Sequence, residues 1–513
     1  MYTYNQLYHQ YKKLYPIYIK KLILILNSVH NKKFNQKYWE PIIGLYLRRF
    51  ILNYLFLKNI SKNKKLFKEQ NYRKINFFRS YSEYSNFNNH SLINEINFYD
   101  IKTEEVSKNY IIKNLSFYTK IINSIKTIIP NILIKSKITR VLFTQSYFKK
   151  ILKNSFIFNS SFYFYSLPNF KLEDYLIETK KILKNRLSII KKYGPKFQQE
   201  MLLKNIILFM PINYLENYKI IYDEVEKFNL SKGIYVDGSE VDNDFIKFYI
   251  GKLRYNKKII LTGQHSFRTG LDDYDAYFDY SNSISKYFLS WGWKNRSNKI
   301  KKFSSLRLFS SLKKYRKIKQ IDNQISSICF ILSGLSNVGD CLYDNFLENQ
   351  KIEKTRIDLL KDLKKYNKIK TFLKPRSGSF LLNDKNKFYK SFNILKDKTR
   401  MYDVFEKYSV IIFEKLSLGI LESILLNQPT IFYYPRYLYR LKNDNYKDLL
   451  TLLKKANILL ENKKKILEII STKDNISNWW LNNQNIQIRK KIIVEYGNAF
   501  TFKDFKIIKK LIP

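Results

Sequence analysis

Cysteine is almost missing from this 513-residue chain, which has only Cys329 and Cys341. Without C-x-x-C spacing they support neither a disulfide framework nor a zinc site, and a reduced cytoplasmic setting fits. No G-x-G-x-x-G occurs, so the dinucleotide fingerprint is excluded. No window reaches ~18 uninterrupted apolar residues, the length a spanning helix needs. The opening MYTYNQLYHQYKKLYPIYIKKLILIL has no clean apolar core or small-residue cleavage site, so it does not read as a signal peptide. A soluble or peripheral protein is expected.

Acidic residues are also short: 43 stand against 93 basic ones, a formal charge of +50. Taken alone that points to nucleic acid. Only 17 of the basic residues are arginine, however, and Lys, Asn, Ile, Tyr and Phe crowd the whole chain. That is the signature of an AT-rich genome, with lysine spread over a solvated surface. A second reading stands beside it, a cationic face resting on anionic inner-leaflet lipids. A nucleic-acid binder would need clustered arginine and aromatic platforms.

What is present is alternation of strand and helix. The stretch Tyr408–Pro435 reads as strand (Ser409–Phe413), loop (Glu414–Ser417), helix (Leu418–Leu426), polar turn and strand (Thr430–Tyr434), a βαβ unit. The loop at such a strand's carboxyl end brings backbone N–H groups and a helix N-terminus to an anion. Ser417, Leu418 and Gly419 would meet the phosphate of a nucleotide, and Glu422, one turn on, a sugar hydroxyl. Earlier, strands are expected at Ile132–Thr144, Ser161–Leu167, Ile206–Met210, Gly233–Val236 and Lys258–Thr262. Helices are expected at Glu173–Lys192, Leu215–Phe228 and Asp244–Tyr255. The first 60 residues are helical in pattern, broken at Pro16, and 61–110 reads as a loop-rich insertion. Residues 294–324 are basic, serine-dotted and strand-poor, the candidate linker. A second alternation follows at Ile325–Leu332, Glu353–Tyr366 and Ile369–Leu373, and the tail is helical.

The fold class is therefore α/β with parallel sheets, in two Rossmann-like halves. The halves span 1–293 and 325–475, and 476–513 packs back on the first, where Trp479 or Trp480 would anchor it. This is the GT-B plan of glycosyltransferases, with the site in a cleft between halves.

Candidate chemistry collects at strand ends. His265, in LTGQHSFRTG, is the one histidine of four so placed, suited to general base or phosphate contact; a loop-ordering role is the alternative. Gln264 and Arg268 flank it on the acceptor side. In VDGSEVDND, Asp237, Glu240, Asp242 and Asp244 could supply a base or a metal ligand, although capping of the next helix by Asp242 or Asn243 is the simpler explanation for any one of them. Lys374 and Arg376 follow a strand in the second half, where Arg376 could grip a pyrophosphate in two-pronged fashion. Gly334 and Ser336 lie in a small-residue loop after that half's first strand. No metal site is expected.

In order along the chain, six segments resemble the family of transferases encoded in bacterial surface-polysaccharide (O-antigen) gene clusters. They are LNSVHNKKFNQKYWEPIIGLYLRRF (Leu26–Phe50), LFMPINYLENY, TGQHSFRTG, YFLSWGW, LGILESILLNQPTI and NWWLNNQNIQIRKK. The resemblance implies a GT-B enzyme without a cofactor, moving a sugar from a nucleotide-activated donor on the C-terminal half to a lipid-linked glycan on the N-terminal half. A glycerol- or ribitol-phosphate transferase shares the plan and is the rival. Two departures stand out. Ser266–Phe267 replace the two glycines of the family's Q-H-G-G, and Met1 stands inside the helical segment, where relatives begin with an extra strand unit.

Overall fold

The computed structural model describes residues 4–61, 141–144, 162–165, 179–193, 201–238, 243–271, 275–294, 297–305, 307–308, 325–332, 346–366, 369–375, 388–396, 399–438, 444–471, 475–498 and 504–512. The expected insertion beyond Ser61, most of the linker, and Glu240, Asp242, Gly334, Ser336 and Arg376 lie outside them.

Short apolar runs build two six-stranded sheets. The first holds β1 (Val141–Thr144), β2 (Phe162–Tyr165), β3 (Gly233–Val236), β4 (Ile259–Gly263), β5 (Tyr287–Ser290) and β6 (Ile300–Lys302), in the order β2-β1-β3-β4-β5-β6. The second holds β7 (Ser327–Ile331), β8 (Lys370–Lys374), β9 (Asn393–Ile394), β10 (Val410–Phe413), β11 (Thr430–Tyr433) and β12 (Leu459–Leu460), in the order β12-β11-β10-β7-β8-β9. Every pairing is parallel. Parallel strands are covered on both faces, which is why GIYV, VIIF and TIFY are apolar without alternation, and all three are buried throughout. The second sheet has the strand order of the doubly wound dinucleotide fold, and its direction of winding reverses between β7 and β10. In the first sheet the reversal falls between β1 and β3. The expected α/β architecture of two Rossmann-like sheets is what forms.

Among the described residues, the helices of the first half are α1 (Tyr4–Val29), α2 (Gln36–Ser61), α3 (Thr179–Tyr193), α4 (Met201–Leu208), α5 (Tyr218–Glu226), α6 (Asp244–Tyr255) and α7 (Ala276–Ile284). In the second half they are α8 (Phe346–Leu363), α9 (Met401–Lys407), α10 (Leu418–Leu425), α11 (Asp444–Lys455), α12 (Lys463–Ser471), α13 (Asn475–Trp479), α14 (Asn483–Tyr496) and α15 (Phe505–Leu511).

Four sequence expectations are corrected. Ile206–Met210 is not a strand. It belongs largely to α4, where Leu202, Leu203, Ile206 and Ile207 share a buried face. An apolar run this short reads the same in either state. The buried guanidinium of Arg186 fixes the helix end, donating to the carbonyl oxygens of Ile207 (3.4 Å) and Leu208 (2.6 Å). Pro16 does not end the first helix, because α1 runs through it with Tyr11, Tyr15, Ile19, Leu22 and Leu26 buried on one side. Their burial outweighs the lost N–H bond. The stretch read as strand-poor carries β6, which extends the first sheet through pairing with β5. Finally, the paired tryptophans anchor to the second half: Trp479 donates to the Asn457 carbonyl (2.8 Å) and Trp480 to the Asn427 side chain (2.9 Å).

Two apolar cores result. One lies under α1, α2, α4, α5, α6 and α7. The other fills the second half and continues into Phe267, Leu271, Phe288, Trp291, Trp293 and Ile300 of the first, so the halves share packing. The tail returns to the first sheet, where a side chain at Gly233 would strike Ile512 at 2.8 Å.

Candidate active site

In the first sheet Val236 lies opposite Thr262, so Asp237–Gly238 and Gly263–Gln264–His265 leave the same carboxyl edge side by side. Ligands of open parallel sheets bind along that edge. His265 Nδ1 stands 3.1 Å from the Asp237 carbonyl oxygen. A carbonyl only accepts, so the contact assigns the proton to Nδ1, and a neutral ring then carries its lone pair on Nε2, as a base requires. The Tyr277 ring meets the imidazole edge-on, with centroids 5.9 Å apart. Gly238 makes this approach possible. It has φ +101°, and a Cβ there would lie 2.1 Å from His265 Nδ1. No side chain fits, on grounds of both conformation and space.

Gln264, expected to face the acceptor, is a scaffold residue instead. It is only 2% exposed. Its Nε2 donates to the carbonyls of Ser266 (2.9 Å) and Phe267 (3.1 Å), and its Oε1 accepts from Trp291 N and Trp293 Nε1, both at 2.8 Å. These bonds tie the His265 loop to the end of β5. Ser266 and Phe267 are accommodated without the conformational freedom of glycine, since neither has a positive φ. Ser266 Oγ bonds Thr269 Oγ1 at 2.9 Å, and Phe267 is buried in the second core. Arg268 is half-buried in the same loop.

Capping by Asn243 is as the sequence allowed: its side chain accepts from Ile246 N at 3.3 Å at the start of α6. Asp244, offered as a base or ligand, is held in a buried cluster. It accepts from Tyr214 Oη (2.8 Å), Lys247 Nζ (3.0 Å) and Asn213 Nδ2 (2.9 Å). Lys247 was missed in the sequence, although an Asp–Lys pair three residues apart on an apolar helix signals it. His30 joins from α1's end, donating through Nε2 to the Tyr214 carbonyl (3.2 Å) and stacking on Tyr218 with centroids 4.0 Å apart. Burial lowers its pKa to about 4, opposed by the Tyr214 bond and assisted by Lys32.

In the second sheet Phe413, Ile331 and Lys374 end β10, β7 and β8 in register. The residue after Phe413 is Glu414, beside the reversal point. Its carboxylate is buried and gripped at both oxygens by Arg356 of α8, with Nε to Oε2 at 2.7 Å and Nη2 to Oε1 at 2.5 Å. Arg356 Nη1 also reaches Tyr389 Oη at 3.4 Å. Burial disfavours the charge on Arg356, and Glu414 more than restores it. Arg356 and Tyr389 were not legible in the sequence, since 58 residues separate the ion pair and nothing local marks it.

Beyond Glu414, Ser417 opens α10 as its N-cap with no side-chain capping bond, and Ser417, Leu418 and Glu422 are half-buried along the same turn. Gly419 is buried, and a Cβ there would lie 2.7 Å from the Phe413 ring. Its smallness lets α10 lie on β10. Lys374 is buried, with Nζ 3.4 Å from the Pro375 carbonyl, and its charge opposes the burial that pushes the Cys329 thiol up to about 12. That thiol is an inert core group. Among the described residues no group of three or more His, Cys, Asp or Glu could hold a metal ion, and no helix is long and apolar enough to cross a membrane.

Comparison with known proteins completes this picture. Residues 3–510 match the LIC12162 family transferase profile, so the chain belongs to that family and is a transferase. No curated protein matches its sequence. Among solved structures it is similar to the spinosyn rhamnosyltransferase SpnG with spinosyn aglycone (9% identity, 69% of this chain and 87% of that one, TM-score 0.32). It is similar to TarM (14%, 58% and 58%, TM-score 0.34) and to the wall teichoic acid polymerase TagF (11%, 77% and 96%, TM-score 0.35).

Proposed function

We propose that this member of the LIC12162 transferase family is a GT-B-type glycosyltransferase that moves a sugar from a nucleotide-activated donor to a lipid-linked or growing surface glycan, such as an O-antigen or capsule precursor. One observation carries the reading: both sheets present built loops at the carboxyl edge, one with a helix N-terminus beside the reversal point, the other with an oriented imidazole one strand from it.

The donor belongs on the second sheet. The first-turn N–H groups of α10 meet its phosphate, Lys374 and Arg376 add cationic contacts, and Glu422 meets a ribose hydroxyl. The Arg356–Glu414 pair fixes the strand end from which that loop departs while adding no net charge. The acceptor belongs on the first sheet, where His265 takes the proton of the attacking hydroxyl through Nε2, with Asp237 and Arg268 in the loops beside it. A chain handling lipid-linked glycans works at the inner face of the cytoplasmic membrane, and its lysine excess suits contact with anionic lipid.

Thermal shift against a panel of nucleotide sugars, with CDP-glycerol and CDP-ribitol included, tests the reading. A ligand at about 100 times its dissociation constant stabilises by ~2.7 kcal/mol. Stabilisation by a polyol nucleotide alone would replace the sugar by a polyol phosphate, and no shift with any donor would refute the assignment.

A further inference from the structure

The outward face of α1 has a composition that its packing does not explain. This helix of 26 residues contains no aspartate or glutamate, and its four charged residues are Lys12, Lys13, Lys20 and Lys21. Its inner face is closed by Tyr11, Tyr15, Tyr18, Ile19, Leu22 and Leu26. On the opposite side Lys13, Ile17, Lys20 and Leu24 recur at intervals of four, three and four, so they form one line. All four are exposed, Ile17 by 48% and Leu24 by 69%. A single exposed aliphatic residue needs no explanation. Two of them alternating with lysines, on a helix with no acid to neutralise them, make a surface that is cationic and apolar along the same line.

We propose that this line is the seat of an anionic lipid bilayer, with Ile17 and Leu24 inserted among the headgroups and Lys13, Lys20 and Lys21 on lipid phosphates. The chemistry favours lipid over nucleic acid, because the line has aliphatic side chains and no arginine or aromatic platform. At 1.5 Å per residue, Lys13 to Leu24 covers about 17 Å, a helix lying in the interface plane and not crossing it.

The placement of α1 gives the contact a purpose, one that rests on the glycosyl-transfer reading above. Both ends of the helix are tied to elements that begin at the carboxyl edge of the first sheet. Near its start, Tyr8 donates to Asp279 of α7 at 2.6 Å, and Lys12 pairs with the same carboxylate at 2.5 Å. Just past its end, His30 bonds Tyr214, which donates to Asp244 at the first position of α6. Helices α6 and α7 start from the loops bearing Asp237 and His265. A bilayer seated on α1 therefore lies beside the proposed acceptor loops, where a lipid-linked glycan would be delivered.

Sedimentation with vesicles of phosphatidylcholine, with and without phosphatidylglycerol, tests the surface in the full chain. Wild type should bind only the anionic vesicles and release them as salt rises. Ile17→Asp with Leu24→Asp should weaken binding at least tenfold. Lys13→Gln with Lys20→Gln should weaken it roughly 25-fold, about fivefold per lysine, and flatten the salt dependence. Both pairs should keep wild-type melting temperature and nucleotide-donor binding. Equal binding to neutral vesicles, preference for duplex DNA, or vesicle binding unchanged in both pairs would each overturn the proposal. Vesicle binding without any donor binding would sink the glycosyl reading and leave this surface standing.

Discussion

Arg356 and Glu414 are joined by two short hydrogen bonds inside the second half, the guanidinium from α8 reaching the residue directly after β10. The pair links the helix leading into β8 with the loop proposed to hold the donor phosphate, across the point where the sheet reverses direction. A buried ion pair of this kind is a poor source of net stability and a strong geometric constraint.

Glu414→Gln leaves a buried guanidinium without its counter-charge, and the expected loss is about 3–5 kcal/mol in urea unfolding. Replacing both partners by methionine should recover most of that stability yet weaken donor binding, since the loop is then no longer pinned. Full donor affinity in the double variant would reduce the pair to packing.

Gly238→Ala should fold but lose transfer. The new methyl would occupy the place of His265 Nδ1, and φ +101° strains any side chain. Calorimetry should show donor binding unchanged while turnover falls, and normal turnover would show that the imidazole has room to move.

His265→Ala should lower transfer by roughly 10²–10⁴, the range of general base catalysis, with donor affinity retained. Near wild-type turnover would leave the histidine as a loop-ordering residue. Collapse of donor binding would mean that the two halves are assigned the wrong way round.

Glu422→Gln should weaken the donor by about 1.5–3 kcal/mol, the range of a hydrogen bond to a charged group, and leave the melting temperature unchanged. Equal affinities by calorimetry would make Glu422 an ordinary helix-surface residue.

His30 predicts an acid-sensitive fold. The unfolded chain protonates this histidine near pH 6.5 and the folded chain only near about 4, so the unfolded state binds more protons between those values. Its contribution to stability is complete above pH 6.5 and is lost as pH falls toward 4. His30→Gln should flatten melting temperature between pH 7 and 5 relative to wild type, and parallel pH profiles would contradict the assignment.

The legible part of the fold was the part written locally. Runs such as Val410–Phe413 and Thr430–Tyr433 are buried on both faces, so their apolar character survives any change of neighbour. Short apolar runs flanked by more apolar residues were not legible in this way, and Ile206–Met210 took the helix that Met201–Leu203 continues into. Two-residue strands such as Leu459–Leu460 carry too few positions to show a period. At the site, His265 and the carboxyl-edge loops could be placed because strand ends announce themselves. The Arg356–Glu414 pair and the four bonds of Gln264 could not, because their partners are set by the closing of the sheets and by no spacing in the chain.

The contact between Gly233 and Ile512 has a bearing on the order of events during synthesis. β3 sits centrally in the first sheet, yet the side chain that fills the space over its first residue comes from the far end of the chain. An emerging first half can pair its strands early but must leave that groove open to water until residue 512 has been made. Through that interval the nascent chain exposes apolar surface beside Ile259, the kind of surface that chaperones hold. Deleting Phe505–Pro513 should therefore show itself less as lost catalysis than as lost yield of folded protein.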